Sequence, residues 1–476
     1  MNSTSPYFAF LRYCLGKKRN MSRVIAGMNW HELYSFASKQ ALLGLCFEGI
    51  ERLGKEYPEE LKQNPIGREL LMTWMGKAQQ IRRQNMKVNA VAGKLFSMLR
   101  EDGLRCCILK GQGNALMYPN PYSRTSGDID VWIDASRERI MEYTQKKFEL
   151  GDDIRLQHLE TSLDGVPVEM HFFPCSRNNP FYHARLQKWF RRNADLQCSH
   201  IVGLPDGAGD IAIPTTAFNV IYQLTHLYHH FFDEGIGMRQ IIDYFLVVND
   251  FSKNVFLNND LSNHPVNFSN HPVPLSKEGS TFSPSPSSSG SGDVTAPSRC
   301  SEPLRSKDGG PSKVSPDCAG WDRWDAIGAS KVSPDCAGWD RLSIEGDNSA
   351  GSATAVTSSA STALVVVQRE LKYLGLWKFA GAVMYVLHEA LGLSEEKMIA
   401  PMDEKRGKLL LAEILNGGNF GKHFTKYGHF TQQGMAKKYF LKIWRNMHFV
   451  RYYPAEALSE PIFRTWHFFW RMKNKK

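Results

Sequence analysis

The sequence contains no run of about eighteen uncharged apolar residues, so no segment reads as a membrane-spanning helix. Its nine cysteines include no Cys-x-x-Cys pair, which argues against a zinc framework, and the odd count fits reduced thiols better than a disulfide scaffold. A His-Glu-x-x-His zinc signature is also missing. The glycine loop Asn416 to Gly421 lacks the preceding strand and following helix that a phosphate loop requires, so a turn is expected there. The start, Tyr7 to Leu15, is apolar but broken by Arg12, with no basic leader and no small-residue cleavage site. It reads as a helix and not as a signal peptide, and together with the thiols this makes a cytoplasmic location the expectation.

The 476 residues, 42% apolar and 22% charged, have room for two or three domains with cores of their own. A net charge of +10 is compatible with an anionic partner such as a nucleotide, a nucleic acid or a membrane surface, and selects none of them. Much of the excess falls between Lys437 and Lys476, where Trp444, Trp466 and Trp470 are interleaved with Arg445, Arg451, Arg464 and Arg471. A basic aromatic helix of this kind serves a membrane surface or nucleic acid. Alternatively its aromatics dock on the domain and its charges stay in water, the arrangement expected here.

Residues 1–100 carry apolar positions at spacings of three and four, first from Trp30 to Leu53 and then from Glu69 to Leu99, and form a helical N-terminal region. Residues 101–200 mix strand and helix patterns, while 201–250 and 363–476 return to helical spacing. Between them, residues 251–362 turn to Ser, Gly, Pro, Asn and Asp with few aliphatics, too little apolar surface to offset the entropy of ordering. This stretch is expected to be a disordered insertion. Within it Ser312 to Arg323 recurs unchanged as Ser330 to Arg341, a tandem duplication without helical or strand period. Loop-closure cost grows slowly with length, so the surrounding fold tolerates it.

The chemistry concentrates in the middle. Leu104 to Leu109 reads as a buried strand ending at Lys110-Gly111, and Ser126 to Asp134 as a strand led by Asp128 and Asp130. Successive side chains of a strand alternate faces, so the two carboxylates project together while Ile129, Val131 and Ile133 face an apolar layer. Like charges so placed repel, and a divalent cation with oxygen ligands is the simplest partner for them. Downstream, Asp164-Gly165 supplies the positive-φ residues of a tight hairpin turn, which brings Glu169 onto a strand that can lie beside the pair. His171 shares the face of Glu169, either as a substrate contact or as a histidine hydrogen-bonded within the sheet. On a later helix His226, His229 and His230 share a face, with packing and capping as alternatives to a metal role.

The run from Lys110 to Asp134, with the pattern Leu-Lys-Gly, then Arg124-x-x-Gly127-Asp128-Ile129-Asp130, then Glu169-Met170-His171, resembles the polymerase-beta-type nucleotidyltransferases. More narrowly it is similar to their uncharacterised bacterial family 5. The resemblance implies an α+β fold: a small mixed sheet with flanking helices. It also implies a site in which Asp128, Asp130 and Glu169 hold two Mg²⁺ (or Mn²⁺) ions. Lys110, Gly111, Arg124 and Gly127 fall on the nucleotide side, and His226 and Asp243 on the substrate side. The usual Gly-Ser order before the acidic strand is inverted here as Ser126-Gly127. The expected activity is transfer of an NMP group from an NTP to a hydroxyl acceptor with release of pyrophosphate. A catalytically silent scaffold with this fold, and a nucleic-acid-binding protein using the basic C-terminus, stand as the alternatives.

Overall fold

The computed structural model describes residues 5–18, 20–149, 155–260, 356–423 and 435–473. All of them belong to one unit. Four strands, β1 (Cys106–Leu109), β2 (Ile129–Ile133), β3 (His158–Leu163) and β4 (Val166–His171), form a sheet in the order β1-β2-β4-β3. β2 runs antiparallel to β1 and parallel to β4, and β3 and β4 are the expected hairpin. Its turn is made by Asp164 (φ 49°) and Gly165 (φ 70°), both in the left-handed region that a two-residue connection demands. The observed class is thus the expected one, a small mixed sheet among helices. A second, two-stranded sheet of β5 (Ile201–Gly203) and β6 (Asp210–Ala212) lies in a stretch that had read as helical.

Alternation decides what each face of the main sheet meets. Ile129, Val131 and Ile133 of β2 and Val168 and Met170 of β4 are fully buried in a core shared with Val88, Val91, Leu95, Phe96 and Leu99 of the long helix Arg68–Glu101. Each such side chain removed from water contributes about 1.5–3 kcal/mol. The opposite face belongs to the larger, helical core. There Trp132 stacks on Phe218 of the helix Thr216–Asp233, with ring centroids 6.2 Å apart and 10° between planes. Asp130 and Trp132 of β2 and Glu169 and His171 of β4 therefore point at a helix, while Pro167 at the start of β4 is exposed.

Close approach of the long helix to the β5–β6 turn requires Gly93, where an added Cβ would collide with the Ala208 carbonyl. Gly93→Ala is expected to lower stability by about 1–3 kcal/mol, the usual cost of overpacking. Denaturant unfolding checks this, and an unchanged midpoint would show that the turn moves aside without cost.

The helix Met238–Asp260 runs past the expected start of the insertion, and the next helix, Val356–Tyr373, begins before its expected end. The rest of the insertion, residues 261–355 with both repeats, lies outside the described residues. The helices Trp377–Leu391, Glu404–Gly417, Met435–Met447 and Pro454–Lys473 follow. Glu456 of the last one accepts from Arg177 Nη2 at 2.8 Å and from the Asn178 backbone at 2.7 Å, a fully buried attachment to the segment just after β4.

The C-terminal region follows the expected division between docked aromatics and solvated charges only in part: Phe449 and Tyr453 are buried and Arg451 is exposed, but other residues depart from it. Arg445 is buried and donates to the Phe231 carbonyl at 2.8 Å, whereas Trp444, Phe468 and Phe469 are at least half exposed. The guanidinium stays folded in because a carbonyl at the end of a neighbouring helix and the Glu413 carboxylate (3.7 Å) meet it there.

Candidate active site between the sheet and a histidine-bearing helix

Parallel pairing of β2 and β4 makes Asp130 and Glu169 register partners, so their carboxylates emerge side by side on the face covered by Thr216–Asp233. His171, two residues on, sends Nε2 between them, 3.0 Å from Asp130 Oδ1 and 3.1 Å from Glu169 Oε2. Burial alone would lower the basicity of this histidine. The two carboxylate bonds outweigh it and raise its pKa to about 9, so His171 stands as a cation between two anions.

Lys110 reaches the same carboxylate from the end of β1, with Nζ 2.8 Å from Asp130 Oδ1 and 2.9 Å from His226 Nε2. Its backbone has a φ of 52°, a conformation that costs a non-glycine residue on the order of 1–3 kcal/mol and that clusters at functional sites. Burial opposes its charge, but Asp130, Asp128 and Glu169 together raise its pKa. Burial and the nearby ammonium keep His226 neutral, as an acceptor for Lys110. His230 sits one turn further along with Nε2 3.1 Å from His226 Nε2, and burial holds it neutral with a pKa near 3.

Asp128 precedes β2 and is exposed. Repulsion by Asp130 comes first, and then the partial loss of hydration among the surrounding atoms and Glu169; together they lift its pKa to about 6. Three carboxylates thus face two cations, Lys110 and His171, and the uncompensated charge falls on the exposed one. A cation from solution fits that deficit, and oxygen donors of this kind suit a hard divalent ion. Gly127 beside it leaves open space where a Cβ would stand. The backbone of Gly111 (φ 33°) begins a short helix opposite, with its would-be Cβ 4.0 Å from the Asp128 carbonyl.

Two residues expected on the nucleotide and substrate sides are bound to each other. Arg124 grips Asp243 through Nε (2.9 Å) and Nη2 (2.8 Å), and Tyr118 donates to the same carboxylate at 2.7 Å. Both are buried, with Nη1 of Arg124 left without a hydrogen-bond partner. This pair fastens the loop that leads into Asp128 to the helix Met238–Asp260. Asn85 of the long helix holds the loop from the other side, donating to the Arg124 carbonyl at 2.7 Å.

Two further side chains join the site without having been read from the sequence. Arg239, nearly buried, donates to the Thr125 carbonyl at 2.8 Å, and Asp128 is among the charges acting on it. His158 of β3 pairs in register with His171, with ring centroids 4.9 Å apart. His158, Glu169 and His171 are the group among the described residues whose ligand atoms all lie within 4.8 Å of one another. Of the three expected ligands, that group contains only Glu169.

No curated protein and no solved structure matches the chain. No helix among the described residues is long and apolar enough to cross a membrane. The model of an uncharacterised nucleotidyltransferase family matches residues 26–262, a span that includes β1 to β6, Lys110, the three carboxylates, the histidine-bearing helix and Arg239. Through that span the chain belongs to this uncharacterised nucleotidyltransferase family.

Proposed function

We propose that the chain transfers an NMP group from an NTP to a hydroxyl acceptor, with Asp128, Asp130 and Glu169 as the ligands of two divalent ions, Mg²⁺ or Mn²⁺. The observation that carries this reading is the register pairing of Asp130 with Glu169 beside a lysine amine, in a chain of a nucleotidyltransferase family. When bound, such ions neutralise the phosphates and acidify the attacking hydroxyl. Lys110 and Arg239 supply positive charge for the phosphates, and Gly111 and Gly127 leave backbone within their reach. Arg124 with Asp243 positions the loop that carries Asp128. His171 holds a proton beside Glu169 until a cation or the acceptor displaces it, and His226 keeps the Lys110 amine directed at Asp130. The insertion, on this reading, takes no part in the chemistry. Four labelled NTPs offered with Mg²⁺ and a cell extract provide the test. Metal-dependent labelling of a discrete acceptor is expected, and its absence with all four NTPs would count against transfer.

A second reading has its own support. Lys110 and His171 already neutralise much of the carboxylate charge, an arrangement that stands without metal, and Ser126-Gly127 inverts the usual order. A silent scaffold of this kind would bind no NTP in a Mg²⁺-dependent way, which calorimetry distinguishes.

Metal ligation needs the carboxylate form of Asp128. With its pKa raised to about 6, protons compete as the pH falls through that value. Mg²⁺ affinity measured by calorimetry is therefore expected to fall as the pH drops from about 7 to below 6. Equal affinity on both sides would contradict the placement of Asp128 among the ligands.

A further inference from the structure

We infer that His158, Glu169 and His171 form a nitrogen-rich metal site that takes a first-row transition ion of the Zn²⁺ class in preference to Mg²⁺. Donor spacing supports it. His171 Nε2 lies 3.1 Å from Glu169 Oε2, and His158 Nδ1 lies 3.4 Å from the same oxygen. A tetrahedral ion with bonds of about 2.0–2.1 Å separates its donors by about 3.3 Å, close to both distances to Glu169, and all three ligand atoms lie within 4.8 Å of one another. Asp130 Oδ1, 3.0 Å from His171 Nε2, stands where a fourth ligand or a bound water belongs.

A second observation points the same way. His158 is 7% exposed, yet neither of its ring nitrogens makes a hydrogen bond. A buried polar group left unpaired costs about 1–3 kcal/mol, so the position asks for an acceptor of its lone pair, and a metal is one. The strand register accounts for the placement: pairing across the hairpin sets His158 against His171 and both beside Glu169. Gln157 lies against the other nitrogen of His171, with its amide 3.3 Å from Nδ1, where an amide can orient the ring. Two imidazoles and one carboxylate suit Zn²⁺ and its neighbours, whereas Mg²⁺ prefers oxygen. The inference stands on this geometry and rests on the nucleotidyl-transfer reading only for what the ion would do, as occupant of the position nearer Glu169.

The experiment uses the full chain after removal of bound metal. Zn²⁺ and Mg²⁺ are titrated by calorimetry, and Co²⁺ is added as a spectroscopic stand-in for Zn²⁺. One equivalent of Zn²⁺ is expected to bind at least about 100-fold more tightly than Mg²⁺. Co²⁺ is expected to give the intense visible absorption of a tetrahedral site. His158→Ala, or His158→Phe if the smaller residue unfolds the hairpin, is expected to weaken Zn²⁺ by more than about 100-fold, since even outer-shell changes cost 10–100-fold. Weak octahedral Co²⁺ bands, Zn²⁺ no tighter than Mg²⁺, or full Zn²⁺ affinity in both His158 variants would each overturn the site. NTP labelling is scored separately, so a chain that binds Zn²⁺ at His158 without labelling any acceptor supports this inference while removing the transfer reading.

Discussion

Asp128→Asn is expected to abolish NTP-dependent labelling while the melting temperature stays unchanged or rises. The asymmetry comes from electrostatics. Asp128 is the exposed member of three converging carboxylates, and repulsion by Asp130 dominates its raised pKa. Removing that charge relieves the folded chain. The same charge is what a divalent ion uses, and ion-mediated stabilisation of the transferring phosphate supplies several kcal/mol, so a loss of about a thousandfold or more in transfer rate is expected. Acceptor labelling and thermal unfolding on one preparation check both halves. A variant that labels normally would remove Asp128 from the chemistry, and one that melts far lower would show that Asp128 holds the fold.

Arg124→Ala is expected to behave in the opposite way, destabilising the chain first and affecting activity as a consequence. Arg124 and Asp243 form a buried two-point ion pair, and removing one partner of such a pair typically costs about 3–5 kcal/mol because the other charge remains without compensation. Denaturant unfolding measures this, and a loss below about 1 kcal/mol would show that water reaches the orphaned carboxylate. The pair also sets an acid limit. Burial alone would raise the pKa of Asp243, but Arg124 outweighs it and holds the carboxyl below its ordinary range. A depressed folded pKa means that the unfolded chain takes up the proton first. The contribution is therefore complete above about pH 4 and is lost as the pH falls below it.

How much of this was legible in the sequence can be traced residue by residue. Period-two alternation correctly set Ile129, Val131 and Ile133 against an apolar layer and Asp130 on the other face, because successive side chains of a strand point to opposite faces. The Asp164-Gly165 turn carried Glu169 to Asp130's neighbour strand. That turn also held a signal that went unread. A two-residue connection pairs Leu163 with Val166, and counting back along both strands puts His158 opposite His171. The Arg124–Asp243 pair was beyond reach, since 119 residues separate its members and only the packing of two helices and a loop brings them together. Arg239 and Arg445 were hidden for the same reason. Their burial depends on carbonyls that other elements present, and no local pattern in the chain announces them.

The carboxylates' capacity to hold nucleotide through divalent ions is tested most directly by equilibrium binding of each of the four NTPs, with and without Mg²⁺, to the wild-type chain and to Asp130→Asn. At least one NTP is expected to bind the wild type only when Mg²⁺ is present, and that binding is expected to vanish in the variant. Binding that ignores Mg²⁺ and survives Asp130→Asn, or no binding of any NTP, would contradict the account.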